Sequence, residues 1–217
     1  MIGDQLRTKM ILSGHPSCPN TGKCLQTAGE KGIDIESKVI KEMDDSDFLA
    51  KSPYGIAPVL DDHGHVVYGT IAVLSYLDDK GFGPSLVPRN GGHRAVMYQW
   101  ADIATERVQP MMGDNIDKTG LALFFDGLEQ QLKNPPKKGD FICGDFSLAD
   151  IHWSACCNLI EIGGAGDLIS SRSVINAWYE NVKSHPSTSK EKLNPHTCLP
   201  TTADVSSGAM RDISINA

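Results

Sequence analysis

The sequence predicts an α/β unit of βαβ-ββα order followed by an all-α unit, and three observations carry this expectation. Up to about residue 80, short β-type runs alternate with stretches of helical spacing. Beyond about residue 91 every periodic stretch is helical. Between the two, residues 82–92 hold Gly83, Pro84, Pro88, Gly91 and Gly92, the composition of a linker. The chain therefore divides into a first domain over 1–81, a linker over 82–92, a helical domain over 93–186 and a polar tail over 187–217.

In the first domain, residues 9–12 are a short apolar run that suits a buried strand, broken at Ser13-Gly14-His15-Pro16. Residues 19–29 follow as a helix opened by Pro19 and closed by Gly29. Residues 35–40 read as a second strand, and the acidic stretch 41–50 as a short helix or loop. Two apolar runs, 57–61 and 65–68, are joined by Asp62-His63-Gly64, which suits a hairpin. Ile71, Val73, Leu74 and Leu77 then recur at helical spacing and end near Gly81.

In the second domain, Val96, Trp100, Ile103, Ala104 and Met111 line one face of a helix running toward Pro110. Leu121, Phe124, Phe125, Leu128 and Leu132 line another, stopped by Pro135-Pro136. The sharpest local signal is Phe146-Ser147-Leu148-Ala149-Asp150-Ile151, where Ser147 and Asp150 make an acidic variant of the capping box and Phe146 is placed to staple against Ile151. That helix runs to about Ile162 and ends at Gly163-Gly164. Val174, Trp178 and Val182 mark a last helix before Pro186. The tail is polar and without periodicity, either wrapping the domain or mobile.

Composition narrows the function classes. The chain has 217 residues, 40% apolar and 22% charged, which gives it ample core. A net charge of -7 with no long basic run argues against nucleic acid and anionic membranes as partners. No apolar run approaches the length of a membrane span, and the first ten residues lack a signal peptide's apolar core, so a cytoplasmic setting is expected. Six cysteines in a chain this apolar do not read as a disulfide framework.

One residue carries a chemical implication of its own. Cys18 sits where the first strand gives way to the first helix, followed by Pro19. As the N-cap, its thiol lies among unpaired amides at the positive end of the helix macrodipole, which favours thiolate over thiol. The alternative is a small buried hydrophobe, as free cysteines commonly are. Cys24 lies about 9 Å further along the same helix, beyond ordinary disulfide reach, and reads as core. Cys156 and Cys157 diverge by about 100° around their helix and also read as packing. His63 and His65 are explained by a hairpin edge, and no metal site is expected.

Taken together, the strand-Cys18-Pro19-helix opening, the stretches SPYGIAPVL (52–60), VVYGTIAVLSYL (66–77) and FICGDFSLADI (141–151), and AWYENVKSHP (177–186) resemble the glutathione S-transferase superfamily. The resemblance implies a thioredoxin-like first domain and a helical second domain of the transferase type. It implies a cis peptide before Pro58, with the Val59 backbone pairing the cysteinyl part of glutathione as co-substrate. The family's catalytic Tyr, Ser or Cys falls on Cys18, similar to the Cys-type classes such as omega and beta. These tend toward thiol transfer, deglutathionylation or reductase chemistry on a small electrophilic or disulfide co-substrate. A homodimer is implied by the same analogy.

This chain departs from that family at two positions. Gly69-Thr70 stands where the family usually has Glu-Ser to hold the γ-glutamyl group, so Thr70 keeps a hydroxyl and Gly69 offers no charge. Ile56 stands where many members have Lys or Gln. Lys51 and Asn20 are the nearest residues able to compensate, and His15 is close enough in sequence to influence Cys18. Two hypotheses follow: a glutathione-dependent transferase or thiol transferase, or a non-catalytic binding or scaffold subunit of a larger assembly.

Overall fold

The computed structural model describes residues 9–15, 18–42, 44–112 and 116–185. The polar tail and its Cys198 lie outside the described residues. Strands β1 (Met10–Gly14), β2 (Ile35–Val39), β3 (Val59–Asp62) and β4 (His65–Tyr68) form one sheet in the order β2-β1-β3-β4. β1 runs parallel to β2, whereas β1 with β3 and β3 with β4 are antiparallel. Helices α1 (Pro19–Glu30), α2 (Ser46–Lys51) and α3 (Thr70–Lys80) complete the expected βαβ-ββα order. The helical part holds α4 (Gly91–Asp102), α5 (Lys118–Lys133), α6 (Leu148–Ile162), α7 (Asp167–Ser170) and α8 (Ser173–Ser184).

Local chemistry explains most boundaries. The hairpin turns at His63 (φ 55) and Gly64 (φ 90), two consecutive left-handed residues of the kind that match strand twist. Asp61 holds it by accepting from the Gly64 amide at 2.8 Å. The sequence expects α1 to close at Gly29, yet the helix runs on to Glu30 and the left-handed residue is Gly32 (φ 63). There Ile33 N–H donates to Ala28 O at 2.9 Å and Gly32 N–H to Gly29 O at 3.2 Å, the paired closure of a Schellman motif.

One apolar core runs through both halves, from Leu12, Leu25 and Leu74 to Trp100, Phe125, Trp153 and Trp178. A smaller cluster of Ile40, Phe48 and Val59 packs beneath α2. The linker is pinned to this core, not merely a spacer. Lys31 and Asp78, both nearly inaccessible, pair at 3.1 Å, and Asp78 also accepts from Leu86 N–H at 2.9 Å and Ser85 Oγ at 2.7 Å. Lys31 Nζ donates in addition to Pro84 O at 3.0 Å. Removing one member of a buried ion pair leaves an uncompensated charge. Lys31→Met is therefore expected to destabilise by about 3 kcal/mol, read as a shift in the urea midpoint, with part of the loss recovered in Lys31→Met/Asp78→Leu.

The regular helix expected through Met111 is interrupted. After Asp102 the backbone widens into a π-helical segment, Ile103–Val108, and then tightens into a short 3-10 turn, Gln109–Met111. Gln109 N–H donates to Ala104 O, five residues back. The wide turn shifts the buried face by one residue, so Val108 and Met112 join Ala104 in the core and Met111 is only partly buried against it.

Asp150 anchors α6 as the capping pattern predicts. Its carboxylate accepts from Ser147 N–H at 3.0 Å, Ser147 Oγ at 2.9 Å, Ile142 N–H at 3.0 Å and Trp178 Nε1 at 2.9 Å, tying the 142–147 turn and α8 to the helix start. Phe146, placed in the sequence to staple against Ile151, packs against the cluster that holds Ile151, stacks on His185 at 4.1 Å and meets Phe141 edge-on at 5.2 Å.

Candidate active site

The sheet register gathers the candidate residues. Ser13 pairs with Val59 and Val59 with Tyr68, a single row across three strands. Because β3 runs against β1 and β4 against β3, the chain leaves β1 toward Cys18, enters β3 from Pro58 and leaves β4 toward Gly69 and Thr70 at the same end of the sheet.

Cys18 is the N-cap of α1, with φ -79 and ψ 120, and Pro19 occupies the first turn. Its N–H donates to His15 O at 3.0 Å, its carbonyl accepts from Gly22 N–H at 3.1 Å, and its thiol makes no capping hydrogen bond. Gly14 permits this approach of helix to strand: a Cβ there would lie 2.3 Å from Thr21 Oγ1. Cys18 is 5% exposed yet belongs to neither apolar cluster. Cys24 by contrast lies within the main core, and burial drives its thiol pKa strongly upward. Burial likewise pushes Cys156 up to about 11 and raises Cys157.

The Ala57–Pro58 peptide is cis, and Pro58 O accepts from Gly69 N–H at 3.0 Å. Val59 is fully buried in β3. Gly69 adopts φ 87, a backbone state that favours glycine, and caps α3 by accepting from Val73 N–H at 3.0 Å; Thr70 is the first residue of the helix. Ile56 and Gly69 stand side by side, with Ile56 Cγ2 3.6 Å from the position a Gly69 Cβ would take. The two departures from the family pattern thus form one apolar, uncharged patch, in which Ile56 is 43% exposed.

Both residues expected to compensate already have partners. The Lys51 ammonium pairs with Asp61, and Asn20 Oδ1 accepts from Lys23 Nζ at 3.0 Å. Met97 and Trp100 are buried in the core, while Tyr98 remains 39% exposed. His65 stacks on Tyr76 at 5.2 Å, and among the described residues no cluster of metal-ligating side chains occurs. No described helix is long and apolar enough to cross a membrane. Lys23, which the sequence does not single out, is fully buried on the helix that Cys18 caps.

A four-stranded sheet of this order, with a cysteine opening the first helix and an all-helical partner sharing its core, defines a two-domain protein with a thioredoxin-like N-terminal part. Residues 12–85 match the family model for the glutathione S-transferase N-terminal domain. The chain is 25% identical over 189 residues to glutathione S-transferase F12 of Arabidopsis thaliana, covering 74% of this chain and 86% of the relative. It superposes on glutathione transferase F7 of Populus trichocarpa with a TM-score of 0.71 at 25% identity, over 85% of this chain and 99% of that one. A delta-class glutathione transferase of Nilaparvata lugens gives a TM-score of 0.73 at 26% identity, over 87% and 94% of the two chains. Residues 12–85 thus carry a glutathione S-transferase N-terminal domain, and the chain as a whole is similar to glutathione transferases in sequence and fold.

Proposed function

We propose that this protein is a cytoplasmic glutathione-dependent thiol transferase in which Cys18 is the reactive sulfur. The observation that carries the reading is the row Ser13-Val59-Tyr68, which brings the start of α1, the turn at Pro58 and the start of α3 to one end of the sheet. In this reading the Val59 backbone docks the cysteinyl part of glutathione, and Pro58 and Ile56 shape the turn beside it. Gly69 and Thr70 receive the γ-glutamyl end through backbone and hydroxyl. The Cys18 thiolate attacks the glutathionyl sulfur of a mixed disulfide, expelling the substrate thiolate and forming a Cys18–glutathione disulfide. A second glutathione thiolate then attacks that bond, releasing oxidised glutathione and restoring Cys18. A homodimer is part of the proposal by family analogy.

Without a carboxylate at Gly69, the ligand ammonium loses a charge-assisted hydrogen bond worth about 1.5 to 3 kcal/mol, roughly one to two decades of affinity. Calorimetric titration with reduced glutathione is expected to give saturable heat only at millimolar ligand. The uncharged Ile56–Gly69 patch favours a second reading, a non-catalytic binding subunit. Absence of heat at millimolar glutathione, with passage through immobilised glutathione unretained, selects that reading instead.

A further inference from the structure

The first turns of α1 hold a buried lysine. Lys23 is 0% exposed, and among the described residues no carboxylate lies within salt-bridge distance of it. Its Nζ instead donates to Asn20 Oδ1 at 3.0 Å, Thr105 Oγ1 at 3.3 Å and Gln109 Oε1 at 3.0 Å. The three neighbours offer an acceptor to each of the three N–H groups of an ammonium, a cradle that suits the charged form. Thr105 Oγ1 in turn lies 2.9 Å from His152 Nδ1.

The π-helical segment helps build this cradle, since Thr105 lies within it and Gln109 directly follows. Helical side chains lean toward the N-terminus. The Lys23 ammonium consequently reaches back to Asn20, two residues along the chain from Cys18. The other titratable groups facing it are Cys24 on α1, Glu106 on the π segment, and Cys156 and His152 on α6. Burial keeps Cys24 and Cys156 protonated near neutral pH, and burial together with the Lys23 charge keeps His152 neutral. Burial also lowers the Lys23 pKa, opposed by the three neighbouring sulfurs and Glu106. Of those sulfurs, Cys18 alone stands at the helix N-terminus and in neither apolar cluster.

We propose that Lys23 is a positioning residue for Cys18: its ammonium, fixed across the domain seam by Asn20, Thr105 and Gln109, supplies the counter-charge for the sulfur anion at the start of α1. The proposal deepens the reading of Cys18 as the reactive sulfur and rests on it. A neutral structural clamp would stabilise the seam equally well and leave the sulfur untouched, so the test reads charge and not stability.

The thiolate of Cys18 can be titrated by ultraviolet absorbance as the difference between each protein and its Cys18→Ser counterpart. Lys23→Met is expected to move the Cys18 step upward by about one pH unit, a tenfold fall in thiolate fraction on the acid side of the step. Gln109→Glu, nearly isosteric, places a carboxylate on the same ammonium and is expected to move the step in the same direction, deciding the matter if Lys23→Met does not fold. An unmoved step in folded Gln109→Glu overturns the proposal, as does an unmoved step in folded Lys23→Met. Because the titration contains no glutathione, the charge coupling is read independently of the calorimetry. Shifted steps without glutathione heat sink the transferase reading alone.

Discussion

Replacing Cys18 by serine is expected to reduce glutathione-dependent thiol transfer at least a hundredfold, leaving the fold intact. A hydroxyl at the start of α1 can polarise the thiol of a bound glutathione, but it cannot itself form and break a disulfide. The substitution changes one atom at a residue outside both apolar clusters, so the unfolding midpoint should move little. A coupled assay that follows release of a small thiol from its glutathione mixed disulfide reads the effect directly. Full retention of the rate by Cys18→Ser would assign the chemistry elsewhere.

Asp150→Ala is expected to be the most destabilising single change in the helical domain, costing about 3 to 5 kcal/mol. Its carboxylate satisfies donors from Ser147, Ile142 and Trp178 in a site closed to water. Alanine leaves those donors buried and unpaired, and urea denaturation would report the loss. The same carboxyl has a pH signature. Burial pushes it up from 3.8 to about 6 against the pull of its hydrogen bonds. Between those two values the folded protein holds a proton that the unfolded chain has lost. Its contribution is therefore greatest below about pH 4 and falls by about 3 kcal/mol as pH rises through 6. Asp150→Asn lacks this titration, so its penalty relative to the unsubstituted protein should shrink as pH is raised from 4 to 7. A penalty constant across that range would contradict the assignment.

The features legible in the sequence were those fixed by neighbouring residues. Asp62-His63-Gly64 spelled a hairpin because the turn's left-handed positions are local requirements. Ser147 and Asp150 marked the start of α6 because a cap and its return bond lie within one turn. The cis Ala57–Pro58 bond and the sheet-end grouping of Cys18, Gly69 and Thr70 followed from a resemblance, not from spacing.

What escaped the sequence depended on distant partners. Lys23 looks like a solvent-facing lysine, yet it is fully buried, with its ammonium on the segment that follows α4. Its acceptors Thr105 and Gln109 lie 82 and 86 residues away. The π segment left the apolar pattern nearly regular while slipping its phase by one residue, so Met111 was expected where Val108 and Met112 pack. Lys51 and Asn20 seemed free to bind ligand because nothing local announced Asp61 or Lys23 as their partners.

The claim on which the account turns is that the sulfur opening α1 exchanges with glutathione. Intact and peptide mass spectrometry after brief exposure to oxidised glutathione tests it most directly. A single glutathione adduct is expected, carried by the peptide containing Cys18, removed by reduced glutathione and absent from Cys18→Ser. An unmodified Cys18, or an adduct pattern that Cys18→Ser leaves unchanged, would contradict it.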